Sequence, residues 1–346
     1  MRGQALLWHM ARAAGATWLI VSVLFLLSHA TIDPESQLRD TLENATHPSE
    51  AGQRAAATQQ LLHRYGLDTP LFYTTWHPQV GWQWHGGQNQ YHAWLTQLAH
   101  GNLGYSYQAD APVAELLAQA LHYTLPLTLL AALLSVSAAV GLTVVLSYRP
   151  VGRRWFLRLA HTLQSLPLFL LALGLLLLFA NPDALSWFPA FGLSSTAAAE
   201  AWQQPGIMLY QLTLPVASLV LSSFPALAIQ LDGALQQEFT QPYTATARAK
   251  GASQARTAWR HALRNALLPL VTLLTELLPS IVAGSVVVEV IFALPGMGRL
   301  IADAALQQDF PVLLGGVGLV AFVRLVAQFM ADILYSVLDP RFRIAA

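Results

Sequence analysis

The sequence has no cysteine and only one lysine, Lys250, among its 346 residues. The lack of cysteine excludes disulfide bonds, thiolate metal sites and cysteine nucleophiles. Charged residues are also scarce: they make up 10% of this chain, against about 25% of an average soluble domain. Eighteen basic and eighteen acidic residues cancel, so no net basic charge indicates nucleic-acid binding. This composition argues strongly against an ordinary soluble globular protein.

Six long apolar stretches account for the scarcity of charge. A helix needs about 20 mostly apolar residues to cross the hydrocarbon core of a bilayer, and each stretch approaches or exceeds that length. Uninterrupted runs favour helices over a transmembrane barrel. The sequence therefore predicts an all-α polytopic membrane protein with six transmembrane helices. The runs are residues 12–30, 121–147, 159–180, 207–231, 266–292 and 311–338.

Arginine and lysine lie mostly on one side of the predicted membrane. With a cytoplasmic N-terminus, the cytoplasmic segments hold thirteen basic residues and the external segments hold four. Positive residues mark cytoplasmic loops, so we expect both termini to be cytoplasmic. The predicted divisions are 1–30 (N-terminus and first helix), 31–120 (a long external segment) and 121–346 (a five-helix core). The alternative for the first run is a signal peptide cleaved after Ser28-His29-Ala30, which would leave five helices.

The predicted external segment is rich in tryptophan and histidine. Residues 49–66 have an amphipathic pattern that predicts a helix ending at Gly66. Four histidines are separated by eight, seven and eight positions, which match no common metal-ligand spacing, so no metal site is predicted. Four tryptophans are expected at the membrane–water interface. The histidines are His77, His85, His92 and His100, and the tryptophans are Trp76, Trp82, Trp84 and Trp94.

A predicted cytoplasmic loop, residues 243–265, carries the most specific pattern in the chain. Residues 243–250 predict a short helix, Gly251 predicts its stop, and Ser253 is placed as the N-cap of a second helix. Three arginines at every fourth position would give that second helix one cationic stripe: Arg256, Arg260 and Arg264. Joined directly to a membrane span, this unit would act as a lever for a soluble partner. The alternative is a basic loop that only contacts lipid headgroups.

Two motifs in this loop and several elsewhere match one family. In the loop they are Thr246-Ala247-Arg248-Ala249-Lys250-Gly251 and Arg260-His261-Ala262-Leu263-Arg264-Asn265-Ala266-Leu267-Leu268-Pro269. The others are Tyr65 to Leu71, Gly101 to Ser106, Glu289 to Leu300, Asp309 to Pro311, Asp332 to Tyr335 and Asp339 to Arg341. Together they resemble the permeases of ABC importers, in the dipeptide/oligopeptide/nickel subfamily, whose cytoplasmic EAA loop the segment 243–265 is similar to.

The resemblance implies a type I ABC importer permease fold and a place in the bacterial cytoplasmic (inner) membrane, in contact with lipid. The loop would dock into a groove on a cytoplasmic ABC ATPase, two subunits of which would be partners, and a second homologous permease would complete the pore. An external substrate-binding protein would deliver the substrate, most simply di- or oligopeptides. Carried over position by position, the expected coupling residues are Thr246, Ala247, Arg248, Lys250, Gly251, Arg256, Arg260, His261 and Asn265.

The residues themselves indicate that the motor is another protein. A P-loop needs the pattern G-x-x-x-x-G-K-[ST], because backbone amides and a lysine bind the phosphates. The only lysine, Lys250, follows Ala249 and precedes Gly251, so this chain contains no such loop. We therefore expect a transport subunit that is not an enzyme and binds no cofactor, with ATP and magnesium used by the partner ATPase.

Some positions depart from the subfamily pattern. Asp232 stands where an arginine is common after the fourth span, which suggests altered pairing with a partner. Ala245 occupies the position of the generic EAA glutamate, and Gln328 stands where asparagine is usual. These differences leave the fold prediction intact and weaken any transfer of substrate identity.

Four polar residues are predicted inside membrane spans: Glu276, Arg324, Gln328 and Asp332. Ionisable residues at membrane depth usually face a bundle interior or a cavity. The last three are spaced as one helical stripe. They would either line the translocation path or form a polar seam between helices, in which Glu276 would pair with Arg324.

More than one transport function fits these features. A carrier coupled to ions or protons would also use intramembrane carboxylates and is the main rival to an ABC importer. Within the importers, nickel, a polyamine or an antimicrobial peptide remains open as substrate beside peptides.

Overall fold

The structure, a computed structural model, describes residues 14–27, 69–77, 81–189, 205–267 and 285–338. The predicted helix at 49–66, the candidate cleavage site at 28–30 and Glu276 lie outside these ranges. In chain order the elements are α1 (Ala14–Leu27), β1 (Thr74–His77), β2 (Gly81–Trp84), α2 (Gln90–Ala99), α3 (Val113–Ser147), α4 (Pro150–Gln164), α5 (Leu168–Phe179), α6 (Pro205–Phe239), α7 (Pro242–Ala249), α8 (Gln254–Arg256), a π-helical turn (Thr257–Ala262), α9 (Met297–Leu306) and α10 (Phe310–Leu338).

Long apolar helices dominate the described part of the chain. Two of them, α3 and α6, are long and apolar enough to cross a membrane, and the bent pair α4–α5 would make a third span. Shorter apolar helices are α1 and the first part of α10. These elements fall on five of the six predicted runs, while residues 268–284 of the remaining run lie outside the described ranges. The predicted all-α membrane architecture is confirmed, with one short β-hairpin as an exception.

The run at 159–180 was predicted as one continuous span, and this is wrong. The chain forms two helices, α4 and α5, which are bent by 102° at the break between them. Pro167 is the cause, because proline has no backbone N–H and disfavours helical geometry in the residue before it. The α4 segment also carries arginines on an otherwise half-apolar helix, whereas α5 is wholly apolar. Averaging hydropathy over the run hides this break.

The chain divides into two compact units. The first contains Leu117–Asp303 and Leu319–Ala346, with Met1–Met10; the second contains Ala11–Leu116 and Ala304–Gly318. In the first unit α6 packs against α4, α5 and the π-helical turn. Its core combines leucines with fully buried alanines, and small residues of this kind let membrane helices approach closely. The fully buried members include Leu127, Ala131, Ala139, Ala172, Ala228, Leu235, Ala258 and Ala262.

A buried carboxylate holds the start of α9 in the first unit. Glu289 is fully buried, and its Oε1 accepts a hydrogen bond of 2.7 Å from the Thr124 hydroxyl. The backbone N–H of Arg299 donates to Glu289 Oε2 at 3.0 Å, and that of Met297 donates to Thr124 Oγ1 at 2.7 Å. The first N–H groups of a helix have no partner within it and carry partial positive charge. Glu289 and Thr124 therefore satisfy two backbone donors in the first turn of α9.

A second carboxylate organises a loop of the second unit. Asp309 is buried, and it accepts hydrogen bonds from the Ser106 hydroxyl and from the backbone N–H of Tyr107, the latter at 3.1 Å. Its own carbonyl accepts from the N–H of Leu313 at 3.0 Å, in the first turn of α10. Two motifs identified separately in the sequence, 101–106 and 309–311, therefore meet in one hydrogen-bonded turn.

The second unit also contains a hairpin that the all-α prediction missed. Strands β1 and β2 are antiparallel, with Trp76 opposite Trp82 and Thr74 opposite Trp84. Beside them, Tyr91 of α2 packs edge-on against Phe25 of α1. The strands are only four residues long, too short for alternation to stand out in an aromatic-rich segment.

Trp94 differs from the other tryptophans of this region. Its ring stacks on Phe25 at a centroid distance of 4.9 Å, so it belongs to the core between α1 and α2. The histidine rings nearby also have local partners: His85 Nε2 lies 2.7 Å from the Thr75 hydroxyl, and His92 Nδ1 lies 3.0 Å from the Tyr73 hydroxyl. Trp94, His85 and His92 therefore interact with neighbouring side chains of the same unit.

The glycines beside Glu289 give a first prediction. A Cβ at Gly298 would lie 2.5 Å from the Val286 Cα, and one at Gly296 would lie 2.3 Å from the Glu289 carboxyl carbon. We expect Gly298→Ala to lower the thermal unfolding midpoint in detergent, because overpacking costs about 1–3 kcal/mol. Gly141→Ala is the matched control, since a Cβ there meets nothing within 4 Å. Equal stability of the Gly298 and Gly141 variants would show that this contact does not constrain the fold.

Candidate coupling site

The predicted helix–stop–helix pattern of the loop is present. Helix α7 begins with Pro242 in its first turn, where a missing N–H has no cost. It ends at Ala249, and two residues later Gly251 has a φ of +87°, a conformation that a side chain would strain. The N–H groups of Gly251 and Ala252 close the end by donating to Arg248 and Ala247 carbonyls at 2.9 and 3.1 Å.

The second helix starts as predicted and then changes geometry. The Ser253 hydroxyl accepts from the N–H of Arg256 at 3.3 Å, which makes it the N-cap. After α8 the chain forms a π-helical turn, Thr257–Ala262, where a regular α-helix was expected. Such turns are rare and often occur at functional sites. The arginine stripe was derived for α-helical spacing and so is not regular, but its three arginines are all exposed.

A three-residue cluster fastens both helices of the loop to the end of α6. The Tyr243 hydroxyl of α7 donates to the Glu238 carboxylate of α6. The Asn265 side-chain amide donates to the Tyr243 hydroxyl at 3.0 Å and to Glu238 Oε2 at 3.4 Å. We call these three residues the clasp. Because it joins segments before and after Gly251, motion of α7 would be transmitted to α6 and to the helix that contains Asn265.

Within the clasp, the Tyr243 hydroxyl acts as a hydrogen-bond donor because its pKa is high. Partial burial, followed by the hydrogen bond to Glu238, raises the pKa of Tyr243 to about 12, although the hydrogen bond from Asn265 acts the other way. The hydroxyl therefore keeps its proton throughout the physiological pH range and continues to donate to Glu238.

Two further side chains of α7 turn back toward α6. Thr244 is fully buried, and its hydroxyl lies 2.7 Å from the Gln241 carbonyl and 3.1 Å from the Phe239 carbonyl. The Arg248 guanidinium donates to the same Phe239 carbonyl at 3.4 Å. A cation at a helix C-terminus is favourable because the helix dipole is negative there. Arg248 therefore helps to seat α7, in addition to any role on its outer face.

The outer surface of the loop is cationic. From Phe239 to Leu267 the sequence has no acidic residue. The predicted coupling residues fall largely on this surface, and a neighbouring aromatic, Trp259, is 46% exposed. Exposed members are Thr246, Arg248, Lys250, Gly251, Arg256, Arg260 and Asn265, while Ala247 and His261 are partly buried. The loop thus offers a positive, partly aromatic face to a partner.

The predicted polar stripe is only partly described. Arg324 and Gln328 lie on α10, and both side chains are exposed in the single chain. Asp332 lies on the same helix, but its side chain and Glu276 are outside the described part. The translocation-path and polar-seam interpretations of these four residues remain predictions.

The departure at Asp232 has an explanation within the chain. Asp232 is 4% exposed and forms a two-pronged ion pair with Arg153 of α4, with nitrogen–oxygen distances of 2.7 and 2.6 Å. Within the chain this pair links α6 to α4, and the suggested altered pairing with a partner stays a prediction.

One signal in the sequence could have marked a residue that the sequence analysis did not name as a site. Tyr243 stands at the start of the loop, three positions before the matched motif at Thr246, which could have marked it as part of that motif. Arg153 and Asp232 lie on separate helices, and only tertiary structure brings them together. Glu238 has no local pattern that distinguishes it from an ordinary exposed acid at a helix end.

Comparison with known proteins defines the class to which this arrangement belongs. Residues 131–344 match the family described as binding-protein-dependent transport system inner membrane component. The chain belongs to this family of membrane permeases, and its relatives place it among the ABC importer permeases of the peptide group. It is a transport subunit and not a catalytic enzyme.

The individual relatives are peptide permeases by name. The chain is 31% identical over 288 residues to the oligopeptide transport system permease protein AppB of Bacillus subtilis, a match that covers 83% of this chain and 85% of AppB. It is 32% identical over 257 residues to the oligopeptide transport system permease protein OppB of Haemophilus influenzae, covering 73% and 80%. The dipeptide transport system permease protein DppB of Bacillus subtilis is 28% identical over 330 residues, covering 94% and 96%.

The clasp gives a second prediction. Tyr243→Phe removes the hydroxyl that Glu238 and Asn265 share, at a cost of about 1 kcal/mol for an exposed hydrogen bond to a charged group. We expect slower transport in the assembled transporter while its ATP hydrolysis persists. Asn265→Ala should have the same effect, and the double variant should be no worse than either single one.

Tyr210→Phe is the matched control for the clasp, because Tyr210 is an exposed tyrosine of α6 whose hydroxyl donates to the Trp187 carbonyl at 2.6 Å. Equal loss of transport in the Tyr210 and Tyr243 variants, or additive effects of Tyr243 and Asn265, would contradict a shared coupling role.

The ion pair gives a third prediction. Asp232→Ala leaves the partly buried Arg153 without its counter-ion, and breaking a fully buried pair costs about 3–5 kcal/mol. The Arg153 side chain is 32% exposed, so we expect a smaller loss, about 1–3 kcal/mol. A lower unfolding midpoint in detergent would show this, with Arg154→Ala as the control at the exposed neighbouring position. Exchange of the two charges, Arg153→Asp with Asp232→Arg, should restore part of the loss, and no recovery would argue against direct pairing.

Proposed function

We propose that this chain is one of two membrane subunits of a bacterial ABC importer for di- or oligopeptides, driven by ATP hydrolysis in separate subunits. The observation that carries the proposal is the cationic loop at 242–267, which is fastened to α6 by the clasp. Family membership supports a binding-protein-dependent transporter. Relatives named as oligopeptide and dipeptide permeases support peptides as the substrate class.

The loop has the properties of a docking lever. Its outer face presents Arg248, Lys250, Arg256 and Arg260 without any acid, so an acidic groove on a soluble partner would complement it. Its inner face is fixed by Thr244, Ala258 and Ala262, which are all fully buried. A push on the outer face would therefore move α6 and the helix after the π-helical turn together, because the clasp joins them.

The expected partners are inferred from the family and from the absence of a P-loop pattern in the sequence. Two cytoplasmic ABC ATPase subunits would bind ATP and magnesium, since the only lysine of this chain is outside any P-loop pattern. A second homologous permease would complete the pore, and an external substrate-binding protein would deliver the substrate. Both termini would be cytoplasmic, as the distribution of arginine predicts.

Two alternatives differ in what an experiment would show. Nickel, a polyamine or an antimicrobial peptide would replace the dipeptide as cargo but would still require ATP. A secondary transporter would be driven by an ion or proton gradient and would need no ATPase. Only the importer gives the exposed basic loop a partner to dock on, which favours it over the secondary transporter.

A transport assay with Gly251 variants tests the proposal and gives the fourth prediction. The chain is reconstituted in vesicles with its partner permease, ATPases and binding protein, and uptake of labelled peptides is measured with and without ATP. We expect uptake to require ATP. Gly251→Val should abolish uptake while the complex still assembles, because a β-branched residue at φ +87° costs about 1–3 kcal/mol of strain and would tilt α7.

Asparagine tolerates positive φ better than other residues, so Gly251→Asn should retain more uptake than Gly251→Val. Gly233→Ala on α6 is a neutral control, since a Cβ there meets nothing within 4 Å. Uptake by this chain alone, driven by a gradient without ATP, would overturn the importer proposal. Equal uptake by the Val and Asn variants would contradict the lever.

A further inference from the structure

The β-hairpin of the second unit exposes an unusual amount of tryptophan. Side chains alternate between the two faces of a strand, and the observed register places Trp76, Trp82 and Trp84 on the same face. Their exposed fractions are 60%, 71% and 73%. The rings of Trp76 and Trp82 contact each other edge to face, with centroids 5.5 Å apart. We call these three residues the tryptophan face.

The opposite face of the hairpin is polar. It carries Thr75 and Gln83, and the Thr75 hydroxyl lies 2.7 Å from His85 Nε2. One side of the hairpin is thus suited to water or to polar contacts, and the other side is not. An exposed aromatic patch of this kind usually marks a contact with another molecule or with a membrane.

The surrounding sequence is free of charge. From Thr69 to Ala109 the chain contains no Asp, Glu, Lys or Arg. Proteins that use a surface for steered docking place charges around it, because charge sets association rate and specificity. A segment without charged side chains is suited to the edge of a bilayer, where charged groups are costly to bury. Tryptophan is enriched there because its ring is apolar and its N–H is still able to meet water or headgroups.

Aromatic contacts join the tryptophan face to the first apolar helix. Trp84 stacks on Tyr73 with centroids 5.9 Å apart, and Tyr73 lies edge-on to Tyr91 at 6.1 Å. The Tyr91 hydroxyl is 2.8 Å from the Ser22 hydroxyl of α1. The hairpin is therefore attached to α1 and would follow its depth in the membrane.

The exposed surface of α1 carries apolar side chains, as a lipid-facing helix does. Val21, Ser22 and Phe25 are buried within the second unit, whereas Ile20, Val23 and Leu27 expose 51%, 45% and 54% of their surface. The exposed three are spaced as one helical face. Lipid against this face would continue toward the hairpin, which is linked to the same helix through Tyr73 and Tyr91.

We propose that the tryptophan face lies in the interfacial layer of the bilayer and holds the second unit against the membrane surface beside α1. Trp76, Trp82 and Trp84 contribute their rings to the region between headgroups and acyl chains. Trp94 makes no such contact, because its ring is used to pack on Phe25. The lipid is the occupant that the absence of charge and the continuity with α1 both favour over a protein partner.

Spin labelling tests the location directly, because the chain has no native cysteine to remove. The full chain is reconstituted in phosphatidylcholine and phosphatidylglycerol nanodiscs with a nitroxide at Trp82→Cys. Gln83→Cys, the next residue on the opposite face, is the matched control. Collision of the label with oxygen and with a water-soluble nickel chelate is then measured.

We expect the ratio of oxygen to nickel collisions to be several-fold higher at position 82 than at position 83, since oxygen concentrates in lipid and the chelate in water. Equal ratios at the two positions would overturn the proposal. Protection of position 82 that appears only after the soluble substrate-binding protein is added would also overturn it and would identify a protein-docking surface.

A second measurement does not depend on replacing a tryptophan by a label. The fluorescence of the chain is recorded in lipids brominated close to the headgroup, which quench nearby indoles. Removal of two exposed rings, Trp82→Phe with Trp84→Phe, should reduce the quenched fraction. Trp94→Phe, the packed ring, should change it little. If the Trp82 and Trp84 variant is quenched as much as the unaltered chain, these residues are not in the bilayer.

Discussion

The fold depends on supplying hydrogen-bond partners to helix ends in a chain that has few polar side chains to offer. In the described part of the molecule, side-chain oxygens accept hydrogen bonds from the first N–H groups of three helices. Glu289 and Thr124 do so for α9, and Ser253 does so for α8. Asn89 does so for α2, where it accepts from the His92 N–H at 2.8 Å. Asp309 serves a loop in the same way. An unsatisfied backbone group in an apolar setting costs several kcal/mol. These polar side chains are therefore structural, and two of them, Glu289 and Asp309, lie in motifs that the family resemblance had marked.

Much of the helical architecture and part of the site were predictable from local pattern. Apolar length identified α3, α6 and α10, and the loop residues Gly251 and Ser253 correctly placed a helix end and a helix start. What failed depended on geometry beyond a local window. Pro167 turned one apolar run into two helices, and the π-helical turn changed the spacing on which the arginine stripe rested. The hairpin escaped notice because four-residue strands leave little periodicity.

The contacts between distant residues were not predictable at all. Asp232 differs from its subfamily pattern, and the sequence offers no reason for it until Arg153 is seen 2.6 Å away on another helix. The clasp was equally unpredictable. Asn265 was named because it lies in a motif, but in the structure its side-chain amide donates hydrogen bonds to Tyr243 and Glu238. The motif match thus located the segment correctly, but only the structure shows which contacts each of its residues makes.

The two carboxylate contacts also have a consequence for the order in which the protein matures during synthesis. Ser106 and Asp309 are 203 positions apart, and Thr124 and Glu289 are 165 apart. A ribosome delivers the chain from its N-terminus, so the early turn at 106–108 and the polar hydroxyl of α3 must wait for partners made near the end of translation. A chain stopped before Glu289 would leave Thr124 of α3 without its partner, and quality-control proteases would meet an incompletely folded chain. Synthesis of the chain as far as Asp309 is thereby a condition for pairing the hydroxyls of Ser106 and Thr124.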